Sequence, residues 1–359
     1  MVAAIIMIAL LAVSLFFNLA QLLAGALSRH VLHSEAFGTT REIGPKLDEC
    51  VLENNHSANK IAVISVDGII TSHDRDEAGN NMVEVIQAQL DRASDDRRVK
   101  AVILKVDSPG GEVLASDDIY KALRDFQSND AEDHNKPGHK GKPVICSMGS
   151  LAASGGYYIS SSSRWIVANE LTLTGSIGVI MEGWNYRGLM DKVGIWPMVF
   201  KSGKFKDMLS GERETNQITA EEDAMVQKLI DQTFERFKQV VGDGRAAAHE
   251  QNKKEGKGDE GKALAANWKD FADGRVLSGR EAIELGLVDQ LGDFDDAVDR
   301  AEKIADIKDC NLIEYRERYD LSNFLSMFGQ SSQAHDVKVQ LDSGAPKLRA
   351  GLMYYLYEP

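Results

Sequence analysis

The sequence predicts an α/β fold, because buried strands alternate with amphipathic helices through the middle of the chain. Residues 60–66 (KIAVISV), 101–106 (AVILKV) and 143–148 (PVICSM) are almost continuously apolar. In the two segments between them, 81–93 and 116–126, apolar residues recur at helical spacing. Strands that are apolar throughout and separated by helices are typical of a mostly parallel sheet with both faces covered.

The same alternation continues toward the C-terminus and indicates one domain over residues 59–308. Thr219 and Ser116 are the predicted N-caps of two of its helices, since hydroxyl side chains accept hydrogen bonds from free N–H groups there. Two polar stretches, 128–142 and 250–262, are predicted surface loops. The remaining predicted elements are strands at 165–168 and 176–181 and helices at 220–241, 279–285 and 293–305.

Composition and charge exclude several classes of function. A net charge of −14 gives no basic face for nucleic acid, so no nucleic-acid partner is expected. Cys50, Cys146 and Cys310 are far apart and have no metal-binding spacing. The sequence therefore predicts neither a metal site nor a cofactor.

The N-terminus is apolar enough to cross a membrane. Residues 2–27 contain no charged side chain, and a span needs about 20 apolar residues. We therefore expect a transmembrane anchor over 1–28 and a polar juxtamembrane stalk over 29–58. A signal peptide cleaved near Ala24-Gly25-Ala26 and a buried helix of a soluble protein are the alternatives. Basic residues follow the segment and none precedes it, which favours a cytoplasmic C-terminal side, but large domains translocate largely regardless of charge, so the charges leave the orientation open.

Ser154 is the candidate nucleophile. It lies in residues 149–158 (GSLAASGGYY), where a predicted strand ends, small residues turn the chain and a helix begins. A hydroxyl at a helix N-terminus lies among free N–H groups that stabilise developing negative charge. The alternative is a serine that only caps the helix.

A glycine pair after the second predicted strand is a candidate oxyanion-binding turn. Residues 107–111 read DSPGG, and glycines allow backbone N–H groups to turn toward a substrate oxygen. Loss of one such donor costs about 2.7–4 kcal/mol of transition-state stabilisation. An ordinary Pro-Gly-Gly turn is the alternative.

A serine nucleophile needs a base, and histidine is poorly placed to be one. No histidine lies between His139 and His249, and both of these lie in or beside a polar stretch. Lysines occur instead at residues 201, 204 and 206. Any one of them alone would be interpreted as a solvated surface residue, but Ser–Lys variants of the catalytic triad exist.

Taken together, these segments resemble the signal peptide peptidase A family of serine–lysine membrane peptidases, in its short single-domain form. The resemblance covers about residues 58–305, with all blocks in the family order. The blocks are 107–111 (DSPGG), 152–158 (AASGGYY), 174–179 (TGSIGV), 202–207 (SGKFKD) and 273–292, which begins DGRV and ends GLVDQLG.

The resemblance implies a role for five residues. Ser154 matches the nucleophile, Lys206 the general base, and Ser176 the serine that orients the lysine amine. The N–H groups of Gly111 and Gly155 match the oxyanion hole. The implied fold is that of the crotonase and caseinolytic-protease superfamily, built from stacked ββα units.

The resemblance also implies partners and a location. Substrates would be extended apolar peptides such as remnant signal peptides, bound as an added strand, with small or apolar side chains beside the scissile bond. Subunits would form a homo-oligomeric ring facing the lipid bilayer. We therefore expect a single-pass protein of the cell membrane with an extracytoplasmic catalytic domain.

A lysine base makes a physical demand on its surroundings. A free lysine has a pKa of about 10.4, so keeping one neutral at pH 7 costs about 4.6 kcal/mol, which burial can supply. We therefore expect Lys206 to be buried, with Ser154 and Ser176 as its only polar neighbours. Lys201 and Lys204 are expected to be exposed, and Asp207 to point away from Lys206.

The C-terminal segment, residues 309–359, is predicted to contain a strand, a linker and an apolar tail. The run 348–357 (LRAGLMYYLY) either packs as a short strand or lies in the groove beside Ser154 like a substrate. Two other functions compete with a peptidase: a crotonase-type acyl-CoA enzyme and a catalytically silent membrane scaffold, such as a stomatin-type partner protein.

Overall fold

The computed structural model describes residues 44–76, 79–128, 141–255, 260–318 and 353–356. The predicted anchor over 1–28 lies outside these residues, as do most of the polar stretch 128–142 and most of the C-terminal linker. Within the described ranges, no helix is both long enough and apolar enough to cross a bilayer.

Eleven strands and seven α-helices make up the described part of the chain. The strands are β1 (Leu47–Glu53), β2 (Lys60–Asp67), β3 (Val99–Ser108), β4 (Gly110–Glu112), β5 (Val144–Ala153), β6 (Trp165–Ala168), β7 (Leu173–Gly175), β8 (Val276–Ser278), β9 (Gln290–Leu291), β10 (Asn311–Glu317) and β11 (Tyr354–Leu356). The helices are α1 (Met82–Asp95), α2 (Val113–Gln127), α3 (Gly155–Ser160), α4 (Arg187–Val193), α5 (Ala220–Glu255), α6 (Gly279–Glu284) and α7 (Phe294–Ala305).

Nine of the strands form one large sheet, in the order β1-β10-β2-β3-β5-β6-β9, with β7 and β8 continuing from the end of β5. The pairs between β10 and β9 in this order are parallel, while β1 pairs antiparallel with β10. The predicted α/β architecture with a mostly parallel sheet is therefore confirmed. A separate two-stranded sheet joins β4 to β11.

Alternate residues of the central strands pack on opposite faces, which explains why these strands are apolar throughout. In β2, Ala62 and Ile64 join the larger core, where the helices α1, α2, α3 and α5 pack. Ile61 and Val63 join a second core on the other face, against Ala297 and Ala301 of α7. The sheet is thus covered on both sides.

Several element boundaries differ from the sequence prediction. No strand forms over 176–181, because the pairing segment lies earlier, at β7, and Ile180 makes only an isolated bridge to Tyr354. Ser116 is not an N-cap, since α2 begins at Val113 and the Ser116 hydroxyl donates to the Glu112 carbonyl at 2.9 Å.

Two further segments are more ordered than their polarity indicated. Within the predicted stalk, Leu47–Glu53 pairs with β10 as an edge strand, whose exposed side chains give it a mixed polar sequence. Helix α5 continues past the predicted end into 250–255. At its start the predicted cap is confirmed, because Thr219 Oγ1 accepts the Glu222 N–H at 3.3 Å.

Candidate active site

Ser154 lies at the junction between β5 and α3, in an unusual backbone conformation. Its φ is +52° and its ψ is −116°, and only 1% of the residue is exposed. A non-glycine residue in such a conformation costs on the order of 1–3 kcal/mol, which the surrounding structure has to supply. Part of that support comes from β7, because the Ser154 N–H donates to the Gly175 carbonyl at 2.8 Å.

Ser176 is brought beside Ser154 by the pairing of β5 with β7. The strands are parallel, and Ala153 lies opposite Gly175. Ser154 follows Ala153 and Ser176 follows Gly175, so the two serines lie side by side. Ser176 also has a positive φ, +48°, and its N–H donates to the Arg275 carbonyl at 2.8 Å. Two predicted site residues distant in sequence thus share one location.

Two glycines, Gly110 and Gly155, lie tightly against a single carbonyl oxygen next to Ser154. A methyl group built on Gly110 would lie 2.0 Å from the Tyr355 carbonyl oxygen and 2.5 Å from the Gly155 nitrogen. A methyl group on Gly155 would lie 3.0 Å from the same oxygen and 3.0 Å from the Gly111 nitrogen. The two N–H groups predicted to form the oxyanion hole, those of Gly111 and Gly155, therefore lie close to each other and to a peptide carbonyl.

That carbonyl belongs to β11, a segment of this chain's own C-terminus. β11 pairs antiparallel with β4, with Tyr355 opposite Gly111 and Leu356 opposite Gly110. On its other side, the N–H and carbonyl of Tyr354 exchange hydrogen bonds with Ile180 at 3.0 and 3.1 Å. The tail therefore lies as an added strand between two backbone segments beside Ser154.

The side chain of Tyr355 fills an aromatic pocket and is fully buried. Its ring stacks on Tyr158 at 4.9 Å between centroids and lies 4.6 Å from Phe237. Its hydroxyl donates to the Thr233 carbonyl at 3.2 Å. Burial raises the pKa of Tyr355, so the phenol stays a neutral donor. The sequence prediction missed this pocket, because its members come from α3, α5 and the tail.

The structure does not bury Lys206, and that expectation is wrong for a single chain. Its side chain is exposed in the loop between α4 and α5, and among the described residues no hydrogen bond or ion pair joins it to Ser154 or Ser176. Among the described residues, neither core of the sheet includes a residue of 184–209, and the Lys206 amine stays in contact with water.

The neighbours of Lys206 behave as predicted. Lys201 is exposed and pairs with Asp207 at 2.6 Å, which turns that carboxylate away from Lys206. Lys204 is also exposed and pairs with Glu221 at 2.5 Å. Hydrogen bonding to Lys201 lowers the pKa of Asp207 and keeps it ionised.

The same loop exposes an unusual amount of apolar surface. We call residues 184–209 the apolar arm. Phe200 is 90% exposed and Trp184 82%, whereas a soluble monomer rarely presents so large an apolar surface to water. The other exposed apolar side chains of the arm are Tyr186, Leu189, Val193, Ile195, Trp196, Met198, Val199 and Leu209.

The described residues contain no group of histidine, cysteine, aspartate and glutamate side chains that could hold a metal ion. One polar cluster beside the site was also missed from the sequence. It joins Glu112 of β4 to residues 71–73. Its members are distant in sequence, and Thr-Ser-His is an unremarkable loop sequence.

Known proteins resemble this chain across the site. The model of Peptidase family S49 matches residues 137–308, which include Ser154, Ser176 and Lys206. A signal peptide peptidase SppA of Enterococcus faecium is 35% identical over 288 residues, covering 78% of this chain and 73% of that protein. A Synechocystis protease is 37% identical over 246 residues, covering 68% of this chain and 74% of that protein. The chloroplastic serine protease SPPA of Arabidopsis thaliana is 29% identical over 254 residues, covering 70% of this chain and 33% of that protein.

Proposed function

The chain belongs to peptidase family S49 and is a serine protease of that family, and we propose that it is a membrane-anchored endopeptidase that uses a dyad of Ser154 and Lys206. The observation that carries this proposal is β11, a peptide strand whose Tyr355 carbonyl lies among Gly110, Gly111 and Gly155 beside the buried Ser154. An acyl-CoA enzyme has no use for such a strand-binding groove.

The proposed chemistry begins with attack of Ser154 Oγ on the carbonyl carbon of a peptide lying where β11 lies. The N–H groups of Gly111 and Gly155 stabilise the oxyanion of the tetrahedral intermediate. Lys206 accepts the serine proton and returns it to the leaving amide nitrogen, which leaves an acyl-enzyme. Water, activated by the same amine, then hydrolyses the ester. Ser176 orients the amine through its hydroxyl.

The exposed position of Lys206 is explained if the functional enzyme is an oligomer. A neutral lysine has to be desolvated, and one chain leaves both Lys206 and the apolar arm in water. We include in the proposal a homo-oligomeric ring in which a neighbouring copy covers the arm. Lys206 of one copy would then enter the dry site beside Ser154 of the next.

The proposed substrates are extended apolar peptides near a membrane, including remnant signal peptides. Pairing along β4 and at Ile180 would bind any extended backbone, as strand addition does in other peptide-binding domains. The pocket around Tyr355 has room for a large aromatic side chain before the scissile bond, in addition to the small and apolar ones predicted. The predicted anchor over 1–28 would hold the catalytic domain, placed on the extracytoplasmic side, at the cell membrane.

The dyad is tested by active-site labelling and peptide hydrolysis. Ser154→Ala should abolish labelling by a fluorophosphonate probe and hydrolysis of an apolar peptide, while Ser202→Ala, in the exposed loop, should keep both. Lys206→Ala should lower kcat by at least about 10³-fold, in the range found for triad members, whereas Lys204→Ala should change it little. Near-normal turnover by Lys206→Ala would refute the assignment of the base.

A further inference from the structure

The strand that would hold the substrate is itself short and weakly constrained. β4 has three residues, of which two are glycines, and glycine has the greatest backbone freedom. One edge of β4 pairs with β11. The other edge pairs with the backbone of Ile70, whose N–H donates to the Gly110 carbonyl at 2.9 Å and whose carbonyl accepts the Glu112 N–H at 2.8 Å. When the groove is empty, Ile70 is the backbone segment that fixes β4.

The Glu112 side chain ties that segment in place. Its carboxylate accepts four hydrogen bonds from three consecutive residues. Oε1 accepts the Thr71 hydroxyl at 2.8 Å and His73 Nδ1–H at 2.6 Å. Oε2 accepts the Ser72 N–H at 3.1 Å and the Ser72 hydroxyl at 2.9 Å. We call these four residues the Glu112 cluster.

Two observations separate this cluster from ordinary helix capping. Glu112 is the N-cap residue of α2, yet its side chain makes no capping hydrogen bond and turns to residues 71–73 instead. The residue is only 7% exposed. Burial alone would raise the pKa of Glu112, but hydrogen bonds from Ser72, Thr71 and His73 outweigh burial and lower it. An ionised, buried carboxylate with four donors is a rigid attachment point.

We propose that Glu112 is a positioning residue for peptide hydrolysis, which holds β4 so that the Gly111 N–H points at the substrate carbonyl. The inference rests on the proposed function, since it assigns Gly111 to the oxyanion hole. Glu112 does not touch the reacting atoms. It acts through the backbone of β4, because Gly111 lies directly between Glu112 and Gly110, and all three residues pair with the bound strand.

The expected effect appears mainly in kcat. An oxyanion donor acts in the transition state more than in the bound ground state, so its displacement lowers kcat more than it raises KM. Loss of such a donor outright costs about 10²–10³-fold, and we expect Glu112→Ala to lower kcat by about 10–100-fold. Glu112→Gln keeps the length and one acceptor oxygen, and should recover most of that loss.

The test is a double-mutant cycle on the full-length enzyme with an apolar peptide substrate. Ser72→Ala and Thr71→Val remove donors from the other side of the cluster. If the cluster acts as a unit, each should lower kcat, and their effects should not add to that of Glu112→Ala. The matched control is Asp296→Ala, which removes a capping carboxylate from α7 on the opposite face of the sheet. It should lower the melting temperature while kcat and KM stay as in wild type.

The outcomes are distinct. Glu112 and Ser72 variants with wild-type kcat and a lowered melting temperature would overturn the inference and leave Glu112 a structural residue. Additive effects on kcat would overturn it as well. If Glu112→Ala does not fold, Glu112→Gln and Ser72→Ala decide the matter alone. Failure of the proposed function is recognised separately, because Ser154→Ala would then retain hydrolysis.

Discussion

At Ser154 and Gly110 the backbone adopts conformations that most residues avoid, and both lie at the place where the peptide carbonyl is held. Ser154 has a φ of +52° and Gly110 a φ of +100°. Such conformations persist only where neighbouring contacts enforce them, and they cluster at functional sites. Here the enforcing contacts are backbone hydrogen bonds to Gly175 and Ile70 and the hydrogen bond from the Gly110 N–H to Ser108 Oγ at 3.0 Å.

Gly110→Ala should therefore be severely damaging to activity. The added methyl would lie 2.0 Å from the Tyr355 oxygen, where the proposed substrate carbonyl binds. In addition, the positive φ of Gly110 disfavours any residue with a side chain. We expect a loss of at least about 10²-fold in kcat/KM, the size of losing an oxyanion donor, measured by peptide hydrolysis. Gly242→Ala, in α5, meets only Trp268 at 3.6 Å and is the control that should keep wild-type activity. Wild-type kcat/KM for Gly110→Ala would show that peptides bind elsewhere.

At the scale of elements, β11 occupies the groove that a substrate would use. Its Tyr355 carbonyl lies at the proposed oxyanion site, so the proposed mechanism predicts cleavage of the bond between Tyr355 and Leu356. We expect the enzyme to trim its own C-terminus slowly after Tyr355, and not to do so in the Ser154→Ala variant. Intact-mass spectrometry of the two proteins measures this.

Removal of the tail should raise activity. A chain truncated after Gly344 lacks β11, so short apolar peptides no longer compete with an attached strand and their apparent KM should fall. Tyr355→Ala is the matched variant in full-length protein, since it empties the aromatic pocket and weakens the tail's binding. Two results together would leave β11 only a packing role. Wild type and Ser154→Ala would both keep the full-length C-terminus, and truncation would not change the kinetics.

Titration of Glu317, at the end of β10, should make the free energy of unfolding depend on pH. Burial and a hydrogen bond with Asp76 raise the pKa of Glu317 to about 7 from an ordinary value of 4.5. The Glu317 carboxyl therefore binds its proton more tightly in the folded state than in the unfolded state. The protonated carboxyl stabilises the fold fully below about pH 4.5, and this stabilisation is lost as the pH rises through about 7. Glu317→Gln mimics the protonated form. In urea unfolding it should match wild type at pH 5 and be more stable than wild type at pH 8.

The control for this prediction is Glu53→Gln, at the exposed end of β1. It should show no such change in relative stability between the two pH values. An equal difference between Glu317→Gln and wild type at pH 5 and pH 8 would mean that Glu317 and Asp76 do not share a proton.

At the scale of the whole molecule, the proposed ring has a consequence for activity, because in it one chain alone lacks a complete dyad. If Lys206 serves the Ser154 of a neighbouring copy, the inactive variants Ser154→Ala and Lys206→Ala should complement each other. Co-expressed in equal amounts, they should regain up to about a quarter of wild-type activity, by chance pairing of neighbours. Peptide hydrolysis by the mixed oligomer measures this. The arm variant Trp196→Glu should dissociate the assembly in analytical ultracentrifugation and abolish activity. An active monomer would contradict both expectations.

The sequence by itself determined the layers of the fold and the turn of small residues around Ser154, between a strand and a helix. Both follow from local physics: continuous apolar runs in β2 and β3, helical spacing of apolar residues in α1 and small residues around Ser154. Ser176 lies beside Ser154 because β7 pairs directly with β5, and its role in orienting the lysine amine stays a prediction. The predicted strand over 176–181 did not form, since which segment pairs depends on register across the sheet.

Other features of the site were decided only by the tertiary structure, because they depend on contacts between segments that are distant in sequence. Three features could not be predicted from any periodicity in the sequence. They are the pairing of Tyr355 with Gly111, the hydrogen bonds of residues 71–73 to Glu112, and the exposure of Lys206. Each depends on which distant segments pack together, and the free energy of that packing depends on the whole fold. Lys206 shows this most clearly: its motif made it the candidate base, but burial is a property of surrounding surfaces, and the described part of the chain does not supply them.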